Sequence, residues 1–202
     1  NMKKALIIVD VQNDFCEGGA LEVLGANSII PYINELIRGN EYDEIILTQD
    51  WHPSDHKSFA SNNGKNVGET ITLNGVPQFM WPDHCVQGSF GADFHQDLDR
   101  SKVTHVVQKG KNVDIDSYSG FQDNNHFMKT GLDDYLKYHD IQLVEIVGLA
   151  LDYCVKYTCL DAAQNGFITC LHFNGTKAVN VKPENAKDTI YQLLENGVTI
   201  LG

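Results

Sequence analysis

Basic side chains are scarce in this chain: 15 Lys and Arg stand against 27 Asp and Glu over 202 residues, a formal net charge of -12. Phosphate binding needs clustered cations, so this balance argues against a nucleic-acid partner. Long apolar runs are missing too. Stretches such as residues 5–9 fall far short of the roughly 20 residues a membrane-crossing helix requires, and no charged, apolar and small-residue leader precedes them. The expectation is a protein without membrane contact, located in the cytoplasm. A disulfide framework is equally unsupported. Cys16, Cys85, Cys154, Cys159 and Cys170 are odd in number and irregularly spaced, which fits a reducing compartment and leaves thiols free for chemistry. With no internal repeat or low-complexity linker, and a length suited to one core, residues 1–202 are read as a single domain.

What the chain does have is short apolar runs bounded by turn residues, at 4–11, 44–49, 103–108, 142–147, 167–173 and 198–201. Their near-continuous apolar character predicts strands covered on both faces, as in a parallel sheet. Between them, Ile29, Ile30, Ile33, Leu36 and Ile37 are spaced for one buried helix face, with Pro31 tolerated in the first turn. Val155, Cys159, Ala162 and Ala163 repeat the pattern. A further helix is expected over 183–195, opening on Pro183 and stopping at Asn196-Gly197. This alternation predicts a doubly wound, three-layer α/β fold with a six-stranded, mainly parallel sheet. Segments 50–99 and 109–129 lack periodicity, and loops that long in a compact fold are usually functional.

Ligands of open parallel sheets bind at the carboxyl ends of strands, so the residues that end each run are the candidates. They are Asp10, Asp50, Lys109 and, past the fourth run, Cys154. Cys154 on a strand-to-helix turn would meet free backbone N–H groups and a positive helix end, which lower a thiol pKa and can hold an oxyanion. Its plain alternative is a buried core thiol. Lys109 would stabilise a thiolate, and Asp10 would take the thiol proton and return it to a leaving amine; alone, each is also an ordinary solvated or turn-forming residue. Asp50 and His52, two apart in an extended stretch, point to one side, and His84 can complete a set. One carboxylate and two imidazoles with open positions suit Zn²⁺, Fe²⁺ or Mn²⁺, zinc foremost. The alternative is surface histidines in a polar loop. His56 is not counted as a ligand, and Cys85 reads as a space-filler. Phe15, Trp81, Tyr118, Phe121 and Tyr153 fall near these strand ends, where aromatic faces can sandwich a flat ring.

The motifs Ile8-Val9-Asp10-Val11-Gln12-Asn13-Asp14-Phe15, Asp50-Trp51-His52-Pro53, Trp81-Pro82-Asp83-His84-Cys85-Val86 and Asp152-Tyr153-Cys154-Val155 together resemble the nicotinamidase/pyrazinamidase family. The resemblance implies an isochorismatase-like fold and hydrolysis of nicotinamide, and of pyrazinamide, in NAD salvage. It further implies a triad of Asp10, Lys109 and Cys154, and a divalent metal on Asp50, His52 and His84. A non-proline cis peptide at Leu149-Ala150, an oxyanion hole from the Ala150 and Cys154 N–H groups, and a ring pocket including Phe15, Trp81 and Tyr118 complete what it implies. Many relatives carry Thr where this chain has Leu151, which puts hydrogen bonding behind the nucleophile in question. A fourth metal ligand, His56 or Ser58, stays unassigned, as does association into a homo-oligomer. The rivals are a carbamoyl amidase or isochorismatase of the same fold and a catalytically silent scaffold.

Overall fold

The computed structural model describes residues 1–40 and 42–202. Its strands are β1 (Lys4–Val9), β2 (Glu44–Asp50), β3 (Thr70–Leu73), β4 (Val76–Phe79), β5 (His105–Lys109), β6 (Leu143–Leu149), β7 (Ile168–Lys177) and β8 (Thr199–Leu201). The helices are α1 (Ile29–Gly39), α2 (Leu132–Tyr138), α3 (Lys156–Gln164) and α4 (Asn185–Glu195). Six strands form one sheet in the order β5-β2-β1-β6-β7-β8, every neighbouring pair parallel. No described helix is long and apolar enough to cross a membrane.

Burial on both faces explains the apolar runs of the central strands β1, β2 and β6, whereas the edge strand β5 alternates exposed and buried residues, so the run expected at 103–108 is covered on one face only. In β1, Ala5, Ile7 and Val9 join the cluster formed by Leu132 and Leu136 of α2 and Val155, Cys159 and Ala162 around α3. Leu6 and Ile8 turn the other way, onto Ile29, Ile30, Ile33 and Ile37 of α1. Those isoleucines are at most 2% exposed, each contributing about 1.5–3 kcal/mol of transfer free energy. Pro31 lies in the first turn of α1, where its missing N–H strands no hydrogen bond.

The boundaries differ from expectation in instructive places. β1 stops at Val9 because Asp10 takes a left-handed φ of 51°. β7 runs on to Lys177, past an irregularity in its pairing with β6 between Ile146 and Gly148. Gly148 is required there: its φ is 119°, and a Cβ would strike the Val9 backbone. α4 opens at Asn185, so Pro183 precedes the helix instead of occupying its first turn. Two elements escaped the sequence reading. The segment expected as loop contains the antiparallel hairpin β3-β4, turned by Asn74 (φ 51°) and Gly75 (φ 81°), an Asn-Gly pair suited to a two-residue hairpin loop. α2 is one short amphipathic stretch, with Asp133 and Asp134 in its first turn and Lys137 in its last complementing its dipole.

Candidate active site and metal centre

Asp10, Asp50, Lys109 and Cys154 converge at the carboxyl edge of the sheet, from β1, β2, β5 and the turn after β6. Thr48 sets Asp10: its hydroxyl donates to Asp10 Oδ1 at 2.7 Å, and its carbonyl accepts the Asp10 N–H at 3.2 Å. The Lys109 ammonium sits at the hub. Its Nζ is 2.9 Å from Asp10 Oδ2 and 2.6 Å from Asp50 Oδ1, 3.0 Å from the Ser117 carbonyl and 3.4 Å from Cys154 Sγ. Burial alone would push this ammonium down, but Asp10 and Asp50 hold it well above its ordinary value. It is a fixed positive charge.

Cys154 lies in a π-helical turn, Leu151–Val155, that runs directly into α3. A single wide turn between strand and helix is a geometry common at functional sites. The lowered thiol expected from the helix end is not found. Burial pushes the Cys154 thiol well up; Lys109 opposes this, while Asp10 and Asp50 add to it. Burial is the largest of these effects and outweighs the pull of Lys109, which favours the thiol and calls for a base at the moment of attack. Asp10 is matched to that task, because burial raises its carboxyl against the pull of Lys109.

The Leu149-Ala150 peptide is cis, as the resemblance implies. The Ala150 N–H makes no hydrogen bond among the described residues. Leu151 is 3% exposed and packs in the core beneath the turn. Asp152 accepts the Val179 and Asn180 N–H groups at 2.9 and 2.8 Å, fixing one wall of the cleft.

Beside the thiol, one ligand atom each from Asp50, His52 and His84 lie within 4.8 Å of one another, all three residues buried. His52 Nδ1 is 2.8 Å from the Gly110 carbonyl and His84 Nδ1 is 2.7 Å from the Pro82 carbonyl. A carbonyl only accepts, so both rings carry their proton on Nδ1 and present a bare Nε2. These Nε2 atoms stand 3.5 and 3.8 Å from Asp50 Oδ2, and His52 Nε2 has no hydrogen-bond partner. Two lone pairs and a carboxylate oxygen facing one point fit a metal ion, with the carbonyls fixing the tautomers from behind. The electrostatics agree. Burial disfavours charge on Asp50, yet Lys109 and His52 hold its carboxyl well below the usual range. Burial and the proximity of His52 push His84 to about 4, whereas at His52 the pull of Asp50 overcomes burial and raises it. The Asp50 carboxylate thus favours positive charge at the point that the two imidazoles face.

His56 has the opposite tautomer. Its Nδ1 accepts the Ser58 N–H at 3.1 Å and lies 2.8 Å from the Ser58 hydroxyl, and its Nε2 faces the Ile115 carbonyl at 3.3 Å. His56 and Ser58 thus satisfy one another, and both ring nitrogens are engaged. Cys85 is fully buried, a space-filler as expected.

Phe15, Trp81, Tyr118 and Tyr153 line one cleft with Asp50, His84, Ala150 and Cys154. The Trp81 and Tyr153 rings meet edge to face at 4.9 Å, and Trp81 Nε1 donates to the Tyr118 hydroxyl at 3.1 Å. Phe121 does not belong there; it packs in the core against Phe167. The sequence reading missed Leu21, Val179 and Asp116, which complete the lining. Asp116 is 3% exposed and is held by the Ser117 N–H at 2.8 Å and Gln78 Nε2 at 3.2 Å. It lies in the aperiodic segment after β5, where no spacing marks it. A larger groove of about 730 Å³, lined by Asn13, Asp14, Phe90, His95 and Arg100 among others, contains none of these groups.

Comparison with known proteins agrees with this geometry. The isochorismatase domain model matches residues 4–200. The Escherichia coli nicotinamidase is 43% identical over 202 residues, covering 98% of this chain and 93% of the relative. A solved Acinetobacter baumanii nicotinamidase/pyrazinamidase superposes with a TM-score of 0.95 at 40% identity, covering 100% of this chain and 96% of the other. The Pyrococcus horikoshii pyrazinamidase, solved in complex with zinc, gives 0.79 at 35% identity over 98% of both chains. A parallel sheet carrying a cysteine, lysine and aspartate at its carboxyl edge, matched from one end of the chain to the other, makes this protein a member of the isochorismatase family.

Proposed function

We propose that this chain hydrolyses nicotinamide to nicotinic acid and ammonia, accepts pyrazinamide as well, and serves nicotinamide salvage toward NAD. The observation that carries the reading is the Cys154 thiol held 3.4 Å from a Lys109 ammonium that Asp10 and Asp50 both grip, inside an aromatic cleft next to the paired bare imidazoles of His52 and His84. The names of the relatives support the substrate. The same features disfavour a carbamoyl amidase and a silent scaffold.

In this mechanism Asp10 takes the Cys154 proton as Sγ attacks the carboxamide carbon, and Lys109 stabilises the sulfur's developing charge. The Ala150 and Cys154 N–H groups hold the tetrahedral oxyanion. Asp10 then gives its proton to the departing ammonia. Water cleaves the resulting thioester, returning the thiol. Phe15, Trp81, Tyr118 and Tyr153 sandwich the ring, excluding water and setting the approach angle. Asp50, His52 and His84 would hold a divalent ion, zinc in this reading with iron or manganese as alternatives. That ion would supply a Lewis-acidic position for the ring nitrogen, directly or through water.

Ammonia release from nicotinamide by wild type and Cys154→Ala, with metal content measured on both samples, tests the proposal. Release by wild type alone, with equal metal, is expected. Full activity of Cys154→Ala would remove the nucleophile, and no release by metal-loaded wild type would remove the substrate.

A further inference from the structure

The strand that carries Asp50 outlasts its neighbour. β1 pairs with β2 only as far as Val9 opposite Thr48, because the chain turns away at Asp10. In a parallel ladder the main-chain groups of residues two apart face the same side. Asp50 therefore directs its N–H and carbonyl toward β1 where β1 no longer runs. The side chain of Gln12, fully buried, occupies that place. Its Oε1 accepts the Asp50 N–H at 2.9 Å, and its Nε2 donates to the Asp50 carbonyl at 2.9 Å. The second Nε2 proton goes to the Ala92 carbonyl at 2.8 Å. One primary amide thus replaces the missing peptide rung and leaves no buried polar group of the pair unmet.

The rung matters because Asp50 serves two sets of partners. Oδ1 takes the Lys109 ammonium at 2.6 Å, while Oδ2 faces His52 and His84. Both contacts depend on the direction in which the Asp50 Cα–Cβ bond leaves the backbone. On the other side, β5 holds Asp50 in register with Lys109. Only the β1 side lacks a strand.

We propose that Gln12 is the positioning residue of the metal centre, a surrogate strand rung that aims the Asp50 carboxylate between Lys109 and the two imidazoles. The inference rests on the reading that Asp50, His52 and His84 bind a divalent ion. Gln49 supplies an internal control. It neighbours Asp50 in β2, is also buried, and donates to the same Ala92 carbonyl at 2.9 Å, but makes no bond to Asp50.

The test is zinc affinity by chelator competition on wild type, Gln12→Met and Gln49→Met, with Tm recorded for each. Partners behind metal ligands typically govern affinity by about 10- to 100-fold. Gln12→Met should weaken zinc by that factor and Gln49→Met by less than about twofold, though both lower Tm. Should Gln12→Met fail to fold, Gln12→Glu, which keeps the acceptor for the Asp50 N–H and loses both donors, takes its place. Wild-type zinc affinity in the Gln12 variant, or equal weakening in the Gln49 variant, overturns the proposal. A wild type that binds no zinc overturns the metal reading beneath it. Zinc is read without substrate, so a failure to hydrolyse nicotinamide is a separate result.

Discussion

Replacing Asp10 by Asn should move two properties of Cys154 in opposite directions. The Asp10 carboxylate has an oxygen within 4.8 Å of Sγ, and both groups are buried. At that separation, with an effective dielectric of about 20, a carboxylate costs a neighbouring thiolate about 3 kcal/mol. Removing the charge while keeping the shape leaves Lys109 facing the sulfur with one competitor fewer. The thiolate population at fixed neutral pH then rises roughly a hundredfold. A less basic thiolate is a weaker nucleophile, and a Brønsted slope near 0.4–0.5 takes back about half of the logarithm. The net expectation is alkylation of Cys154 by iodoacetamide about tenfold faster in Asp10→Asn than in wild type. Amide hydrolysis, which needs Asp10 to carry a proton from sulfur to nitrogen, should fall by roughly 10²–10⁴. Both are measurable on one preparation at pH 7.5, by mass spectrometry of the Cys154 peptide and by ammonia release. Alkylation slower than wild type would refute the view that Asp10 raises the resting thiol, and undiminished hydrolysis would refute its role as proton carrier.

Two further outcomes follow from the same geometry. Gly110 has a φ of 69° and a Cβ there would lie 2.5 Å from His52 Cε1, so Gly110→Ala should tilt the imidazole and weaken zinc by about tenfold or more; full zinc retention on chelator titration would count against it. On the distal side of the sheet, His172 holds the half-buried Glu145 carboxyl below its ordinary 4.5, with burial opposing and Tyr42 assisting. A depressed carboxylate contributes stability above pH 4.5 that is lost as pH falls through its folded-state value. The Tm difference between wild type and Glu145→Gln should therefore shrink as pH drops from 6 to 3, and a constant difference would show that the pair contributes no proton linkage.

The centre of the sheet was legible because strands buried on both faces, β1 above all, must be largely apolar; the edge strands β5 and β8 are only partly buried and carry a weaker signal. The ends of the strands were not legible. Asp10 terminates β1 through a left-handed φ that Asp tolerates but does not announce. The β3-β4 hairpin hides because each arm has four residues and β4 includes Pro77, even though Asn74-Gly75 signals the turn. α2 hides because only Leu132 and Leu136 mark its buried face. For the site, position on a strand end was enough to single out Asp10, Asp50, Lys109 and Cys154. The thiol's surroundings were not readable, since they are fixed by charges on β1, β2 and β5 that meet only in space. Asp116 escaped for a related reason: it belongs to the cleft through a loop whose path follows no period.

Asp116 also bears on the release of product. On the proposed reaction the entering amide is neutral and the departing acid is an anion. The cleft that receives both already contains the carboxylates of Asp50 and Asp116, neither of which is removed by turnover. Like charges in so enclosed a space repel. Lys109, which Asp10 and Asp50 hold charged, and the ion proposed on Asp50, His52 and His84 pull the other way, so the two carboxylates offset the attraction that these cations would exert on the acid. The carboxylates that orient the cations of this site thereby also temper the hold of those cations on the acid that the proposed reaction would leave behind.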